Sequence, residues 1–347
     1  MALAEGQPDP DRQHPVVSGL HHGHADRRAP GGEVPLIGTA VACVQAVMMI
    51  AIAPLITGIV RKFKAWMQHR TGADILQPYR ELAKLFRKDE TVSESTSWLF
   101  RAIPYVCFAT MTLIAFMIPF FFTGIAAPYG DLIALVYIFT LYRFCMVLGG
   151  LEGGSSFGGM GSSRELMMSV LIEPSLLLTL MTLCVLSGAG TDISGVPEML
   201  MSMGVLAFGP ALLLAAASFV ITVVAENARI PFDNPDTHLE LTMVHEGMLL
   251  EYSGRSLALM EFSSMMRLVI FMTMLGTLFF PWGISTSVEP LHLLVGFAAI
   301  MLKLMVMSFA LALLESSSTK FRLFKMPNLL TASFVLALLA IISLYIL

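Results

Sequence analysis

Eight long apolar runs constrain this chain more than any other feature of its sequence. A helix that crosses the hydrocarbon core of a bilayer needs about 20 consecutive, mostly apolar residues. Runs of that kind fall at residues 34–60, 102–125, 131–151, 166–188, 200–225, 257–280, 290–314 and 328–347. Only 13% of the residues are charged, whereas soluble domains carry about 25%. The sequence therefore predicts an all-α, polytopic membrane protein of about eight transmembrane helices.

Residues 1–33, before the first run, are polar and differ in composition from everything that follows. They have no apolar core of their own, so we expect neither a signal peptide nor a transit peptide there. The sequence therefore predicts two parts. These are a polar, disordered tail at 1–33 and a single eight-helix membrane domain at 34–347.

The basic residues predict the orientation of the chain, because short cytoplasmic loops of membrane proteins hold an excess of Lys and Arg. Of the 21 Lys and Arg residues, 15 fall in or beside the first, third, fifth and seventh connections, and none falls in the second, fourth or sixth. This asymmetry places the odd-numbered connections in the cytoplasm and both termini outside. Because the basic residues are scattered, we expect no nucleic acid as a partner.

Nothing in the sequence has the spacing of a metal or cluster site. The four cysteines are isolated in separate apolar stretches, unlike the closely spaced thiols that hold zinc or iron–sulfur clusters. His245 and Glu246 begin like a zinc-protease helix, but the second histidine of that motif is replaced by Leu249. We therefore expect no metal and no cofactor on this chain. The cysteines are Cys43, Cys107, Cys145 and Cys184.

Three loop segments carry local signals. The glycine-rich run at 149–164 lacks the Gly-Lys-Ser/Thr of a phosphate loop and favours a flexible cytoplasmic turn. Residues 237–253 predict a cytoplasmic helix, with a capping box from Thr237 and Glu240 and with Gly254 as its C-cap. Residues 61–88 are amphipathic, which fits either an interfacial helix on anionic lipid or a docking face for a cytoplasmic protein.

Five charged residues lie inside the apolar runs. Each costs at least about 2.5–3.5 kcal/mol at the centre of a bilayer, so such residues normally face an interior cavity or a partner. Mutual ion pairing and proton or ion conduction are both consistent with them. They are Arg143, Glu173, Glu261, Arg267 and Lys303.

Three further segments carry a resemblance to a known family. Residues 225–241 read AENARIPFDNPDTHLEL, and residues 251–254 read EYSG. Residues 77–88 read QPYRELAKLFRK, and Arg164 stands nine residues before Glu173. Over about residues 40–330, the chain resembles the respiratory complex I subunit 1 family. In that family, the signature loop joins the fifth and sixth membrane helices beside the quinone chamber.

Two branches of this family differ in the signature loop. Residues 234–248 read NPDTHLELTMVHEGM, and residues 158–165 read GGMGSSRE, which resembles the hydrogenase-4 and formate hydrogenlyase branch. Complex I proteins instead carry an acid at the position of His238. They also reach the Glu-Tyr-Ser-Gly element sooner after the position of Glu240.

The resemblance implies the membrane-anchor and coupling subunit of a membrane-bound NiFe hydrogenase in a prokaryotic inner membrane. The partners it implies are cytoplasmic large and small subunits, which would hold the NiFe centre and the iron–sulfur clusters, and antiporter-like membrane subunits. The chain itself would link redox turnover to proton or sodium translocation without a redox centre. Two alternatives stay open, a quinone-chamber subunit of complex I and a purely structural membrane anchor.

The residues implied by the resemblance and by the buried charges form three groups. The acids of a coupling or proton path are Glu152, Glu165, Glu173, Glu226, Asp233, Asp236, Glu240, Glu246 and Glu251. The supporting charges are Arg143, Arg164, Arg229, Glu261, Arg267 and Lys303. The docking loop contributes Gln77, Pro78, Arg80, Lys84 and Arg87.

The charge asymmetry gives a direct test of topology. A reporter enzyme that is active only outside the cytoplasm should work when fused at 127 or 286 and should fail when fused at 90 or 323. Reporter activity is measured in whole cells, with immunoblots to show that every fusion is made. The opposite pattern would contradict the predicted orientation.

Overall fold

A computed structural model describes residues 34–93, 96–123, 130–188, 190–204, 209–233, 244–287, 289–319 and 325–346. The predicted tail at 1–33 lies outside these residues. Residues Gly38–Leu347 belong to one compact unit. Eleven α-helices lie in the described part: α1 (Val34–Met67), α2 (Gln77–Phe86), α3 (Trp98–Met117), α4 (Leu132–Glu152), α5 (Ser156–Ser187), α6 (Gly195–Met203), α7 (Pro210–Glu226), α8 (His245–Leu249), α9 (Gly254–Met274), α10 (Pro290–Ser317) and α11 (Met326–Ile346).

Seven of the helices in the described part are long and apolar enough to cross a membrane. These are α1, α3, α4, α5, α9 with the π-helical turn Leu275–Phe279 that continues it, α10 and α11. Helix α7 is also apolar but has only 17 residues. The predicted class, an all-α polytopic membrane protein with about eight such helices, is confirmed.

The predicted span at 200–225 is wrong as a single helix. Helix α6 ends at Met203, because Gly204 leaves the helical conformation with φ 58°. Helix α7 begins again at Pro210, which suits a first helical turn because it lacks the N–H that would have no partner there. The apolar run at 200–225 is therefore divided between two helices, and the hydrophobicity of the sequence does not show where the first helix ends.

The predicted span at 102–125 is also too long, because α3 ends at Met117 and Ile118–Thr123 are irregular. Irregular backbone inside a membrane protein must find hydrogen bonds within the protein. Gln45 of α1 supplies them, since its Oε1 accepts from the backbone N–H groups of Phe120, Phe121 and Phe122 at 2.9, 3.1 and 3.2 Å. One side chain thereby holds the segment after α3 against α1.

The glycine-rich run at 149–164 is mostly helical, contrary to the prediction of a flexible turn. Its first residues end α4 and its last begin α5, with a short link at Gly153–Ser155. Space explains the glycines, because a Cβ on Gly150 would lie 2.5 Å from the Ser162 hydroxyl and one on Gly161 would lie 2.7 Å from the Val244 carbonyl. The glycines therefore let α4, α5 and the residues before α8 approach closely.

The helix predicted at 237–253 is wrong in its described part. Only His245–Leu249 form a helix there, and Gly254 begins α9 with φ 53° instead of ending the preceding helix. The predicted capping box of Thr237 and Glu240 lies outside the described residues.

Helices α5, α7 and α11 pack against one another, and α3 packs against α4 and α9. Buried hydroxyl groups join the first three helices at their common contact. Ser333 of α11 lies 3.1 Å from the hydroxyl of Ser218 on α7 and 3.2 Å from that of Ser175 on α5. Hydrogen bonds between hydroxyls commonly hold membrane helices together. Helices α5, α7 and α11 therefore form one closely packed group.

Gln45→Leu should lower the free energy of unfolding by about 3 kcal/mol, because each buried N–H left without an acceptor costs about 1–3 kcal/mol. Unfolding in detergent, followed by the thermal midpoint and by a denaturant series, measures the change. Val44→Ala on the exposed face of α1 is the control and should change stability little. Equal stability of the two variants would contradict the role of Gln45.

Candidate functional site

Arg143 of α4 is buried at the meeting point of three helices. Its Nη1 lies 2.8 Å from Oε1 of Glu173, and its Nε lies 3.5 Å from Oε1 of Glu165, both on α5. Its Nη2 forms an ion pair and hydrogen bond with Glu226, the last residue of α7. We call these four residues the Arg143 cluster.

The Arg143 cluster contains three acidic side chains and one basic side chain. Glu165 and Glu226 are buried, whereas the side chain of Glu173 is 35% exposed. Eight residues separate Glu165 from Glu173, a rise of roughly 12 Å along the helix axis. Arg143 bridges this distance, so a single guanidinium contacts acids at two levels of α5. Three carboxylates can hold a variable number of protons, and this gives the cluster its chemical capacity.

A second buried arginine, Arg267 of α9, lies near the Arg143 cluster. Its guanidinium carbon is 5.3 Å from the centre of the Tyr142 ring, an arrangement that favours a cation. Its Nη2 lies 3.2 Å from Nε2 of His245. Burial and the charge of Arg267 lower the pKa of His245 well below its ordinary value. His245 is therefore neutral near pH 7.

Asp233 fixes the position of His245. Its carboxylate accepts hydrogen bonds from the backbone N–H groups of Val244 and His245 at 3.0 and 3.3 Å. A carboxylate at this place satisfies N–H groups at the start of α8 that have no partner within the helix. Asp233 therefore links the first part of the loop after α7 to the first residue of α8.

A cavity of about 300 Å³ opens beside these residues. Its polar lining includes Asp233, His245, Glu246 and Glu261. Arg61, Lys64, Asn227, Arg229 and Glu315 also line it. The cavity therefore combines acids with basic side chains in a small enclosed space.

Glu315 of α10 is a buried acid of the cavity, with a side chain that is 0% exposed. Its two carboxylate oxygens pair with different cations, Lys64 at 3.3 Å and Arg229 at 3.3 Å. Sequence reasoning missed Glu315, Lys64 and His245 as members of the site. The signal for Glu315 was one residue away, because the predicted seventh span ended at 314.

Lys303 of α10 stands apart from both arginines. Its Nζ donates to the carbonyl oxygens of Gly276 and Phe280 at 3.0 and 2.5 Å. These carbonyls lie at the π-helical turn that ends α9, where the regular hydrogen-bond pattern stops. Lys303 therefore satisfies the end of a neighbouring helix and does not contact the acids of the Arg143 cluster.

The predicted docking loop lies on and next to α2. Pro78 and Leu82 are buried, while Arg80, Lys84 and Arg87 are exposed. Gln77 is the first residue of this helix, which packs against α9. An amphipathic helix is thus present within the predicted segment, with its basic side chains free of the core.

Other predicted acids lie away from the Arg143 cluster. The Glu152 carboxylate accepts from the backbone N–H of Ser97 at 3.3 Å, just before α3. Glu251 is exposed beside Gly153, and Arg164 is half-buried one residue before Glu165. Asp236 and Glu240 lie outside the described residues. The structure thus brings Glu165, Glu173 and Glu226 together and leaves Glu152 and Glu251 elsewhere.

Within the described part of the chain, no group of three or more His, Cys, Asp or Glu side chains is arranged to hold a metal ion. Cys107, Cys145 and Cys184 are buried as free thiols, and Cys43 is exposed. The acidic side chains of the Arg143 cluster and of the cavity can bind and release protons.

The sequence and the fold resemble those of known proteins. A family model described as NADH dehydrogenase matches residues 39–346. The chain belongs to this family. Formate hydrogenlyase subunit 4 of Escherichia coli K12 is 34% identical over 302 residues, which cover 87% of this chain and 97% of the relative. Hydrogenase-4 component C of the same strain is 34% identical over 302 residues, covering 86% and 93%.

Another relative and one solved structure also resemble the chain. An NADH-quinone oxidoreductase subunit of Rubrobacter xylanophilus is 28% identical over 243 residues, covering 67% of this chain and 71% of the relative. A chain in a structure of the membrane-bound sulfane sulfur reductase, an archaeal respiratory membrane complex, superimposes with a TM-score of 0.75. It covers 88% of this chain and 99% of that chain at 19% identity, which supports the fold alone. The resemblance stated from the sequence is confirmed.

Arg143→Met should destabilise the protein by about 3–5 kcal/mol, because it leaves buried carboxylates without their cation. The amount of folded protein in membranes and its thermal midpoint in detergent measure this loss. Adding Glu226→Gln to Arg143→Met removes one uncompensated carboxylate and should restore part of the stability. Failure of the double variant to recover any stability would contradict the ion-pair account.

Proposed function

We propose that this chain is the membrane-anchor and coupling subunit of a membrane-bound NiFe hydrogenase complex of the formate hydrogenlyase or hydrogenase-4 type. Identity of 34% to one subunit of each, over 97% and 93% of their lengths, supports this assignment. The match to the NADH-quinone oxidoreductase relative is lower in identity and in coverage. The chain would lie in a prokaryotic inner membrane, with both termini facing outward.

The Arg143 cluster is the observation that best supports the proposed coupling role. It places three carboxylates from α5 and α7 around one guanidinium, inside a membrane protein and near a cavity lined by further acids. Burial and nearby charges decide whether such carboxylates hold protons. Turnover in an adjoining redox subunit would change the charge felt here, and the cluster would respond by taking up or releasing protons.

The partners follow from the same proposal. Cytoplasmic large and small hydrogenase subunits would hold the NiFe centre and the iron–sulfur clusters, and antiporter-like subunits would adjoin the chain within the membrane. The exposed basic side chains Arg80, Lys84 and Arg87 on and next to α2 suit docking of the cytoplasmic arm. This chain would contribute anchoring and coupling but no redox centre. Protons or sodium ions would be the translocated species.

The alternative, a quinone-chamber subunit of complex I, has support from the family membership and from the cavity. Nickel content separates the two. A complex purified through a tag on this chain should contain nickel in a fixed ratio to the chain and should evolve hydrogen. A complex without nickel that reduces quinone would contradict the hydrogenase assignment.

Glu173→Gln should preserve assembly while reducing ion uptake per redox turnover at least tenfold, because the side chain keeps its shape but can no longer bind or release a proton. Glu289→Gln, on a side chain that is 74% exposed, is the matched control. Assembled complex and ion uptake are measured in the same vesicles. A purely structural anchor predicts less assembled complex but normal uptake per turnover, and that result would refute the coupling role.

A further inference from the structure

His245 is buried, but only one of its ring nitrogens has a hydrogen-bond partner among the described residues. Nε2 faces Nη2 of Arg267 at 3.2 Å, whereas Nδ1 is buried without a partner. A guanidinium has hydrogen-bond donors and no acceptor, so Nε2 must accept this bond. The neutral ring therefore carries its proton on Nδ1, and the lone pair on Nε2 is its basic site.

Arg267 depends on this neutral histidine. No carboxylate among the described residues lies within ion-pair distance of its guanidinium, which contacts His245 and the face of Tyr142. The arginine is only 1% exposed. Protonated His245 would present a second N–H donor and a second positive charge at 3.2 Å. Arg267 and protonated His245 cannot keep their present contact.

Several charged groups surround the pair. Arg143 acts on His245 through its charge, and Arg267 acts on Glu165 of the Arg143 cluster. Asp233 holds the backbone of His245, and it also lies within electrostatic range of Glu165. The titratable groups near the pair are Tyr142, Arg143, Glu165 and Asp233. The charged residues that line the cavity together with His245 are Arg61, Lys64, Arg229, Asp233, Glu246, Glu261 and Glu315.

We propose that His245 is a proton-accepting residue that sets the position of Arg267 and thereby passes a protonation event at the cavity to the Arg143 cluster. The inference deepens the proposed function and rests on it. Arg267 releases Nε2 and moves toward Glu165, the nearby acid on which its charge already acts. A carboxylic acid of the cavity then gives up its O–H proton and becomes a carboxylate, and an N–H bond forms at Nε2.

The arrival of Arg267 changes the balance of charge in the Arg143 cluster. Glu165 then has two cations to share, so Arg143 is freer to pair with Glu173 and Glu226. When His245 returns its proton, Nε2 becomes an acceptor again and Arg267 goes back. The pair therefore has two arrangements, and the proton on His245 selects between them.

His245→Gln tests this proposal, since a glutamine carboxamide can accept from Arg267 but cannot become a cation. The matched control is His292→Gln on α10, whose side chain is 61% exposed. Both complexes are purified and placed in vesicles, and ion uptake per redox turnover is measured. We expect normal uptake for His292→Gln and at least a tenfold loss for His245→Gln. Normal uptake for His245→Gln would overturn the proposal.

Infrared difference spectroscopy of the whole complex separates this proposal from the proposed function. With ring-labelled histidine, reduction of the wild-type complex should produce an imidazolium band that His292→Gln keeps and His245→Gln loses. His245→Asn serves as a second variant if the glutamine variant assembles poorly. A wild-type complex that lacks the band overturns the role of His245 even if it translocates ions. A complex that shows the band but translocates no ion refutes the proposed coupling function instead.

Discussion

The arrangement of the acids on α5 and α7 depends on the burial of Arg143 in α4. A guanidinium cannot lose its proton, so an arginine inside a membrane protein needs polar partners, and those of Arg143 are acids. These acids come from α5 and α7. Their ion pairs with Arg143 therefore hold α4, α5 and α7 to one another. Side chains in the first half and middle of α5 and at the end of α7 are therefore held in a fixed relation to the middle of α4.

Elsewhere in the protein, the regular helical hydrogen bonds stop after α3 and at the π-helical end of α9. The carbonyl groups at the π-helical end of α9 are satisfied by Lys303, and the N–H groups after α3 are satisfied by Gln45. In each case, a single long side chain from another helix replaces regular hydrogen bonds. Charge at Lys303 is thus explained by backbone geometry, whereas charge at Arg143 is explained by acids. Arg143 and Lys303 therefore serve different purposes within one membrane protein.

The sequence predicted the class of fold and the buried charges, but it could not predict their pairing. Apolar runs report which segments enter the bilayer, and the cost of Arg143 and Glu173 there made them candidates. Contact between them depends on how α4 and α5 rotate against each other, which no local pattern records. The glycine run at 149–164 was misread because glycine signals both flexibility and close packing. The atoms packed around Gly150 and Gly161 show that these glycines allow close packing, and those contacts form only in the folded protein.

Stability alone does not explain three carboxylates around one guanidinium. Buried ion pairs are often less stabilising than apolar side chains of the same size, because removing the charges from water costs as much as their attraction returns. One acid would suffice to neutralise Arg143, and each further ionised acid adds repulsion. The two additional carboxylates therefore make sense if their protons come and go. The number of protons held then depends on how many cations stand nearby, and Arg267, which has no acid of its own among the described residues, is the cation best placed to change that number.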